Sequence, residues 1–444
     1  MPQRALIAIA LLWIAVPAGA EDPFLRRTVA VRAVEKVGPA VVNITTERVV
    51  TRGNPFRPFA RDPLFDRFFR DFFEPRLPQT SQSLGSGVLI DAEGHILTNE
   101  HVVSRASRIM ISLADGREFE ATTIGADSIN DIAVLRVETD EALPWIPMGY
   151  SGDLMVGEPV IAIGNPFGFS HTVTTGVISA LDRSLRSEKR VFHGFLQTDA
   201  SINPGNSGGP LLSAEGQLIA INTAVYNGGQ GIGFAIPIDI AARIVAELIE
   251  HGEVAPVWLG IEFQDLDTKL AQALKLPEGT DGALVNRVRP DSPARRAGVE
   301  RGDVVTHLDG RPVHDSRSFF EMLRSVTSDQ QLTIHLLRDH QSRELALRAE
   351  EIPHELVAQI VDELLGVQLD RGAQGDFVVK SVRAGGGAAR IGIKPGDRVL
   401  GINGRRLNDV DALRRSALDL RGRSRALVVV QRGSGRYHVT IPLV

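Results

Sequence analysis

Within Asp199-Ala-Ser-Ile-Asn-Pro-Gly-Asn-Ser-Gly-Gly-Pro210, the run Gly205-Asn206-Ser207-Gly208-Gly209 sets one hydroxyl, that of Ser207, among residues that let backbone amides turn toward one point. A serine hydroxyl is a poor nucleophile until a neighbouring base takes its proton. Acyl transfer also requires hydrogen-bond donors for the oxyanion that forms at the attacked carbonyl. The glycines around Ser207 can supply the donors, so the base must come from elsewhere in the chain.

The spacing Gly-x-Ser-x-Gly also occurs at the nucleophile elbow of α/β-hydrolases, so the local pattern leaves two folds open. Chain order separates them, because an α/β-hydrolase runs Ser, acid, His, whereas chymotrypsin-like enzymes run His, Asp, Ser. Upstream of Ser207 stand Thr98-Asn-Glu-His101-Val-Val, at the end of an apolar run, and Asn130-Asp131-Ile-Ala-Val-Leu-Arg-Val137, an Asp at the mouth of a strand. The order is His101, Asp131, Ser207. Between Gly85 and Pro237 short β-rich runs are broken by Gly, Asp and Asn, among them Val88-Leu-Ile, Ile109-Met-Ile-Ser-Leu, Val160-Ile-Ala-Ile and Leu218-Ile-Ala-Ile. Short strands at hairpin spacing predict barrels or a sandwich. With the triad order they favour two β-barrels, His101 and Asp131 from the first and Ser207 from the second. Ile238 to Glu250, apolar at Ile240, Ile244, Val245, Leu248 and Ile249 and stopped by Gly252, reads as a closing helix.

Six blocks now stand in one order: Gly85-Ser-Gly-Val-Leu-Ile, Ile96-Leu-Thr-Asn-Glu-His-Val-Val103, Asn130-Asp-Ile-Ala-Val134, Ala162-Ile-Gly-Asn-Pro-Phe-Gly168, Gly205-Asn-Ser-Gly-Gly-Pro210 and Gly231-Ile-Gly-Phe-Ala-Ile-Pro237. Together they resemble the HtrA/Deg serine endopeptidases of the peptidase Do type. The resemblance implies a triad of His101, Asp131 and Ser207, and an oxyanion hole from the amides of Gly205, Asn206 and Ser207. It places Ile202 and Ile232 at the wall of the pocket for the residue before the cut. No acid of a trypsin-like pocket stands there, so small aliphatic side chains in unfolded proteins are the expected preference. The chemistry implied uses no cofactor and no metal. Relatives are built from trimers and multiples of trimers, which implies a homo-oligomer.

The whole chain sets outer bounds. At 444 residues it exceeds one ordinary core, which predicts about two or three domains. A net charge of −5 with scattered basic residues predicts no nucleic-acid surface, and Arg421-Gly-Arg-Ser-Arg425 reads as a solvated turn. Arg4, an apolar run from Ala5 to Val16 and Ala18-Gly-Ala20 follow the order of a secretory signal, so residues 1–20 are expected to be removed on export to the periplasm. That run is shorter than the ~20 residues of a comfortable membrane span. The chain has no cysteine, which excludes disulfides, thiolate zinc sites and a Cys nucleophile.

The protease-like domain is expected over residues 21–252. Within it, residues 52–82 are rich in Phe, Pro and Arg, too poor in aliphatics for a core of their own and too apolar for free water. They read as a regulatory loop that packs against something else, with a locally packed amphipathic segment as the alternative. His95, His171 and His193 read as surface residues.

After Pro256 the chain repeats itself: Ala297-Gly-Val-Glu-Arg-Gly-Asp-Val-Val-Thr-His-Leu-Asp-Gly-Arg311 aligns without gaps on Ile391-Gly-Ile-Lys-Pro-Gly-Asp-Arg-Val-Leu-Gly-Ile-Asn-Gly-Arg405. Each copy follows a Leu-Gly-aliphatic turn, Leu259-Gly260-Ile261 and Leu365-Gly-Val367, and precedes a helix, Ser316 to Val326 and Asp409 to Leu420. The units resemble PDZ domains, expected over 256–349 and 365–444 with a linker over 350–364. In such domains amides after the turn hold a peptide's terminal carboxylate, which implies substrate binding at Leu259, Gly260 and Ile261 and a role in regulation. Two functions stay open at this point: a periplasmic endopeptidase degrading unfolded proteins, with chaperone activity beside it, and a periplasmic chaperone or peptide-sensing protein whose protease domain mostly rests.

Overall fold

The computed structural model describes residues 26–49, 80–104, 106–165, 171–186, 191–203, 205–225, 231–277, 279–372 and 375–443. The expected signal over residues 1–20 and nearly all of the phenylalanine-rich loop lie outside them. Among the described residues no helix is long and apolar enough to cross a membrane.

The chain enters through α1, Val29–Val37, where the Thr28 hydroxyl accepts the Val31 amide at 3.4 Å and so satisfies one donor of the first turn. Gly38 and Pro39 end the helix and deliver β1, Val41–Val49, whose Val41, Val42 and Ile44 are buried. β1 lies antiparallel between β2, Thr80–Leu89, and β4, Arg108–Ser112. With β3, His95–Thr98, β5, Glu118–Asp127, and β6, Ile132–Val137, they close a barrel in the order β1-β2-β3-β6-β5-β4. A short helix, α2, Glu100–Val103, follows β3.

A second barrel repeats the plan. Its strands are β7, Pro159–Gly164; β8, Thr172–Arg186; β9, Val191–Thr198; β10, Pro210–Ser213; β11, Leu218–Val225; and β12, Gly233–Pro237, closed in the order β10-β11-β12-β9-β8-β7. Val160, Ala162, Ile178, Leu196, Leu211, Ile219 and Ala235 fill it. The expected pair of β-barrels is therefore present. The closing helix, α3, Ile238–His251, is present too, but its buried stripe is Ile238, Ala241, Ile244, Val245 and Leu248, while Ile249 is exposed. The stripe starts two residues earlier than the sequence pattern suggested, at Ile238, which follows directly on β12.

The two repeats are copies down to their irregularities. The first has the sheet order β14-β15-β16-β18-β19 with β17 on β16; the second has β21-β22-β23-β25-β26 with β24 on β23. In the first, these are β14, Ile261–Asp265; β15, Ala283–Val288; β16, Val304–Leu308; β17, Arg311–Pro312; β18, Gln331–Arg338; and β19, Gln341–Arg348. In the second they are β21, Val367–Arg371; β22, Phe377–Val382; β23, Arg398–Ile402; β24, Arg405–Arg406; β25, Arg425–Arg432; and β26, Gly435–Pro442. Bulges fall at Glu262/Phe263 and Gln368/Leu369, and again at Val305/His307 and Val399/Gly401. Asp309 and Asn403 both take left-handed φ, 48° and 49°, and each side chain accepts an amide of the next long strand, Thr333 at 2.7 Å and Leu427 at 2.9 Å. In the first copy α4, Thr268–Ala273, stands between β14 and β15 and is followed in the chain by α5, Pro293–Arg296, and α6, Ser316–Leu323, capped by Asp315.

Residues 350–364, expected as a linker, carry more structure than that. Glu350–Glu351 form β20, paired with β13, Val257–Trp258, and α7, His354–Leu365, buries Val357, Ile360, Val361 and Leu365 in the core of the second copy. The helix is amphipathic, and an apolar stripe needs a partner. Successive side chains of a strand point to opposite faces. Accordingly Val257 enters the core of the first copy and Trp258 that of the second. α8, Gly387–Arg390, and α9, Val410–Asp419, complete the second copy.

Candidate active site

Ser207 lies in the turn between β9 and β10, and it and Asn206 are 1 % exposed. The turn is held by the first barrel. The Ser86 amide of β2 donates to the Ser207 carbonyl at 2.9 Å, the Ser86 hydroxyl donates to the Gly205 carbonyl at 2.5 Å, and the Asn165 amide donates to that hydroxyl at 2.8 Å. Thr98, the last residue of β3, donates its hydroxyl to the Ser86 carbonyl at 2.7 Å. Gly208 has φ +84°, and a Cβ on it would lie 2.2 Å from the Ser86 carbonyl oxygen, 2.3 Å from Thr98 Oγ1 and 3.2 Å from the Asn99 amide. Glycine alone lets the turn rest against Thr98 and Asn99 in this backbone conformation.

His101 rides on α2, which begins one residue after Asn99, and its Nε2 is buried. The structure thus brings the turn of Ser207 against the segment that carries His101. Asp131, 4 % exposed, stands at the head of β6 with left-handed φ of 57°, and β6 neighbours β3 in the barrel order. The loop before it is folded around Asp127, whose carboxylate accepts the Ile129 amide at 3.0 Å, the Asn130 amide at 3.2 Å and the Asn130 side-chain amide at 2.6 Å. Burial pushes the Asp127 carboxyl up and the Asp131 charge adds to it, while those hydrogen bonds work in the opposite direction.

The hydroxyl of Ser207 donates to the Thr223 carbonyl at 3.1 Å. Of the three amides expected at the oxyanion, that of Asn206 is spent inside the turn, donating to the Asn203 carbonyl at 2.9 Å. Ile202 is 2 % exposed and packs on the backbone of Gly233, whereas Ile232 is only partly buried. Beside them Phe195 and Phe234 meet edge to face with centroids 6.4 Å apart.

At the Leu-Gly turn of the first repeat the side chains are not available to a ligand. Leu259 and Ile261 are 1 % and 3 % exposed and belong to the repeat's core, and a Cβ on Gly260, φ +77°, would fall 2.1 Å from Ser292 Cβ. What the turn can offer is backbone. The carbonyls of Leu259 and Gly260 already accept the amides of Ala294 at 3.0 Å and Arg289 at 2.8 Å. Arg289, buried, pairs with Glu262 at 2.8 Å and with Glu363 of α7. Arg421, read from the sequence as solvated, donates to the Val257 carbonyl at 2.9 Å and sits 5.2 Å over the ring of Phe320 on α6. Burial, with the nearby Arg289 charge, pulls its guanidinium down to about 10.

The remaining histidines correct the expectation in part. His95 is buried, because Asp91 takes both its amide at 3.0 Å and its Nδ1 at 2.7 Å in the turn before β3. His193 meets the Ser184 hydroxyl at 2.8 Å, and the His171 ring packs against Gly38. Asp91, Glu93 and His95 bring ligand atoms within 4.8 Å of one another, but both oxygens of Asp91 are already engaged by His95. Sequence reasoning missed Ser86 and Arg421, whose partners lie far away in the chain.

Residues 85–221 match the trypsin-like peptidase domain family, and residues 257–348 and 356–429 each match the PDZ domain family. A probable periplasmic serine endoprotease DegP-like of Marinomonas sp. (strain MWYL1) is 37% identical over 439 residues, covering 92% of both chains. The periplasmic serine endoprotease DegP of Escherichia coli (strain K12) is 37% identical over 411 residues, covering 86% of this chain and 85% of that one. Among solved structures, a serine-to-alanine variant of the HtrA-type protease AlgW, with decapeptide, matches at a TM-score of 0.51 and 40% identity, covering 72% of this chain and 97% of its own.

Proposed function

Because this chain belongs to the DegP-like serine endoproteases of the HtrA type, we propose that His101, Asp131 and Ser207 are its catalytic triad and that it cleaves unfolded or misfolded chains in the periplasm. It is a serine endopeptidase with two PDZ domains. In the reaction, His101 takes the Ser207 proton as the hydroxyl attacks a peptide carbonyl, and Asp131 holds the imidazole tautomer and stabilises its charge. His101 then protonates the leaving amine, and water repeats the sequence on the acyl-enzyme. The amides of Gly205 and Ser207 receive the oxyanion; that of Asn206 joins them only when its bond to Asn203 opens. Each such donor contributes ~10²-fold or more to turnover.

The observation that carries this reading is the packing of Gly208 against Thr98 and Asn99, which sets the turn of Ser207 beside the segment of His101. The bond from Ser207 to Thr223 favours a resting form of the same site, since the hydroxyl must rotate toward His101 before it attacks. In the first repeat a peptide's carboxylate is taken by backbone after Leu259, and the peptide adds a strand along β14. The pocket at Ile202 and Ile232 selects small aliphatic side chains. We extend the proposal to a cleaved export signal, a chaperone activity and assembly into trimers or their multiples.

Fluorophosphonate labelling and casein degradation by the full chain test the triad. Labelling at Ser207 is expected, and degradation lost in Ser207→Ala by ~10⁶ in turnover. Degradation surviving that substitution would sink the assignment.

A further inference from the structure

We propose that Ser86 is a positioning residue for acyl transfer, a role that rests on the triad reading above. Ser86 is fully buried on β2 and reaches both sides of the reaction. Its amide holds the Ser207 carbonyl at 2.9 Å and its hydroxyl holds the Gly205 carbonyl at 2.5 Å. A peptide unit is planar, so a fixed carbonyl fixes its whole plane. The pinned planes are those of Gly205–Asn206 and Ser207–Gly208. Between them lies the Asn206–Ser207 peptide, whose N–H is a donor for the oxyanion. With both neighbours fixed, that N–H has little freedom to turn away, and the Ser207 side chain is anchored with it.

The same residue reaches toward the base. Its carbonyl accepts the Thr98 hydroxyl at 2.7 Å, which ties down the end of β3 three residues before His101. Its hydroxyl oxygen accepts the Asn165 amide at 2.8 Å, so the hydroxyl is itself oriented and its proton directed at Gly205. Ser86 and Asn165 are both 0% exposed, so bulk water does not readily replace these bonds. Removing the hydroxyl leaves the Gly205 carbonyl and the Asn165 amide without these partners inside the protein, and the nearest relief is rotation of the Gly205–Asn206 plane. An error of about 1 Å in the placement of reacting groups costs ~10²-fold in rate.

The test compares Ser86→Ala, Thr98→Val and Ile111→Val in the full chain. Ile111 is a buried residue of β4, so its truncation lowers stability in the same barrel without touching these bonds. With a fluorogenic peptide, Ser86→Ala should lower kcat by ~10²-fold with KM within about twofold, and slow fluorophosphonate labelling of Ser207 by the same factor. Thr98→Val should lower kcat by a smaller factor, ~10-fold. Ile111→Val should lower the melting temperature with kcat unchanged. An unchanged kcat in Ser86→Ala overturns the proposal. So does an equal loss of kcat in Ile111→Val, which would make the effect one of stability. Should Ser86→Ala not fold, Thr98→Val decides, and an unchanged kcat there overturns it. If the unaltered chain is not labelled at Ser207, the triad reading fails and this inference falls with it.

Discussion

Replacing Asp303 with alanine should loosen the first repeat far more than the matching change, Asp397→Ala, loosens the second. Asp303 is 1 % exposed and accepts Arg338 Nε at 2.6 Å and Nη2 at 2.7 Å, while also accepting the Glu300 amide at 2.8 Å. The variant leaves Arg338, 15 % exposed in its side chain, with the Gly298 carbonyl at 2.7 Å and Glu300 at 3.0 Å. Breaking a fully buried ion pair costs about 3–5 kcal/mol, and the surviving contacts bring the expected loss to ~3 kcal/mol. In the second repeat Arg432 is 45 % exposed, so water takes over when its carboxylate is removed. Hydrogen exchange in the full chain reads each repeat separately. At about 1.4 kcal/mol per tenfold, amides of β15, β16 and β18 should exchange ~10²-fold faster in Asp303→Ala. Acceleration below tenfold there, or a larger effect of Asp397→Ala in β22 and β25, would refute the reasoning that arginine exposure sets the penalty.

Three further outcomes follow. The Arg432 guanidinium holds the Asp397 carboxyl below its ordinary range, so the pair's contribution is full above pH ~3.9 and is lost as pH falls through the lower folded value. Exchange at β25 should accelerate in that acid window, and Asp397→Ala should flatten the dependence; acceleration on the alkaline side instead would show the sign to be wrong. Gly208→Ala, whose Cβ would press on Ser86 and Thr98, should abolish labelling of Ser207, and retention of full labelling would show that the turn need not rest on β3. Arg421→Met removes the hydrogen bond to Val257 and the contact over Phe320, about 2–4 kcal/mol of gross interaction, but also relieves a desolvated charge. Net stability should change by less than about 2 kcal/mol while proteolysis between the repeats accelerates, and unchanged proteolysis would show that the remaining contacts, among them the β13–β20 pairing and the Arg324–Asp419 ion pair, suffice to hold them together.

The barrels, the duplication and the helices were legible because hydrophobic period, turn residues and self-similarity are local. The triad candidates were legible through chain order. What escaped depends on partners distant in sequence. Ser86 looks like a small strand residue until β2 is seen beneath the turn of Ser207. The Asp–Arg pairs left a trace that pairwise reading missed: Asp303 to Arg338 and Asp397 to Arg432 are both 35 residues apart. Residues 350–364 read as a linker because their charges face water while Val357, Ile360 and Val361 are buried in a core supplied by later residues. Ligand binding at Leu259, Gly260 and Ile261 was assigned to their amides, and the side chains of Leu259 and Ile261 are committed to the core. For that reason a bulky residue at Gly260 would damage the fold before it tested carboxylate capture.

Closure of both barrels has a consequence for where an extended segment can pair with this chain. A strand at the border of a sheet offers unpaired amides and carbonyls that template further strands, and that is how sticky segments nucleate aggregates. A ring of strands has no border. In the described residues, sheet borders fall instead on the small β13–β20 sheet and on the repeats, at β14 and β19 and at β21 and β26. Among the described residues, an extended segment can therefore add as a further strand at these borders, whereas each barrel closes on itself.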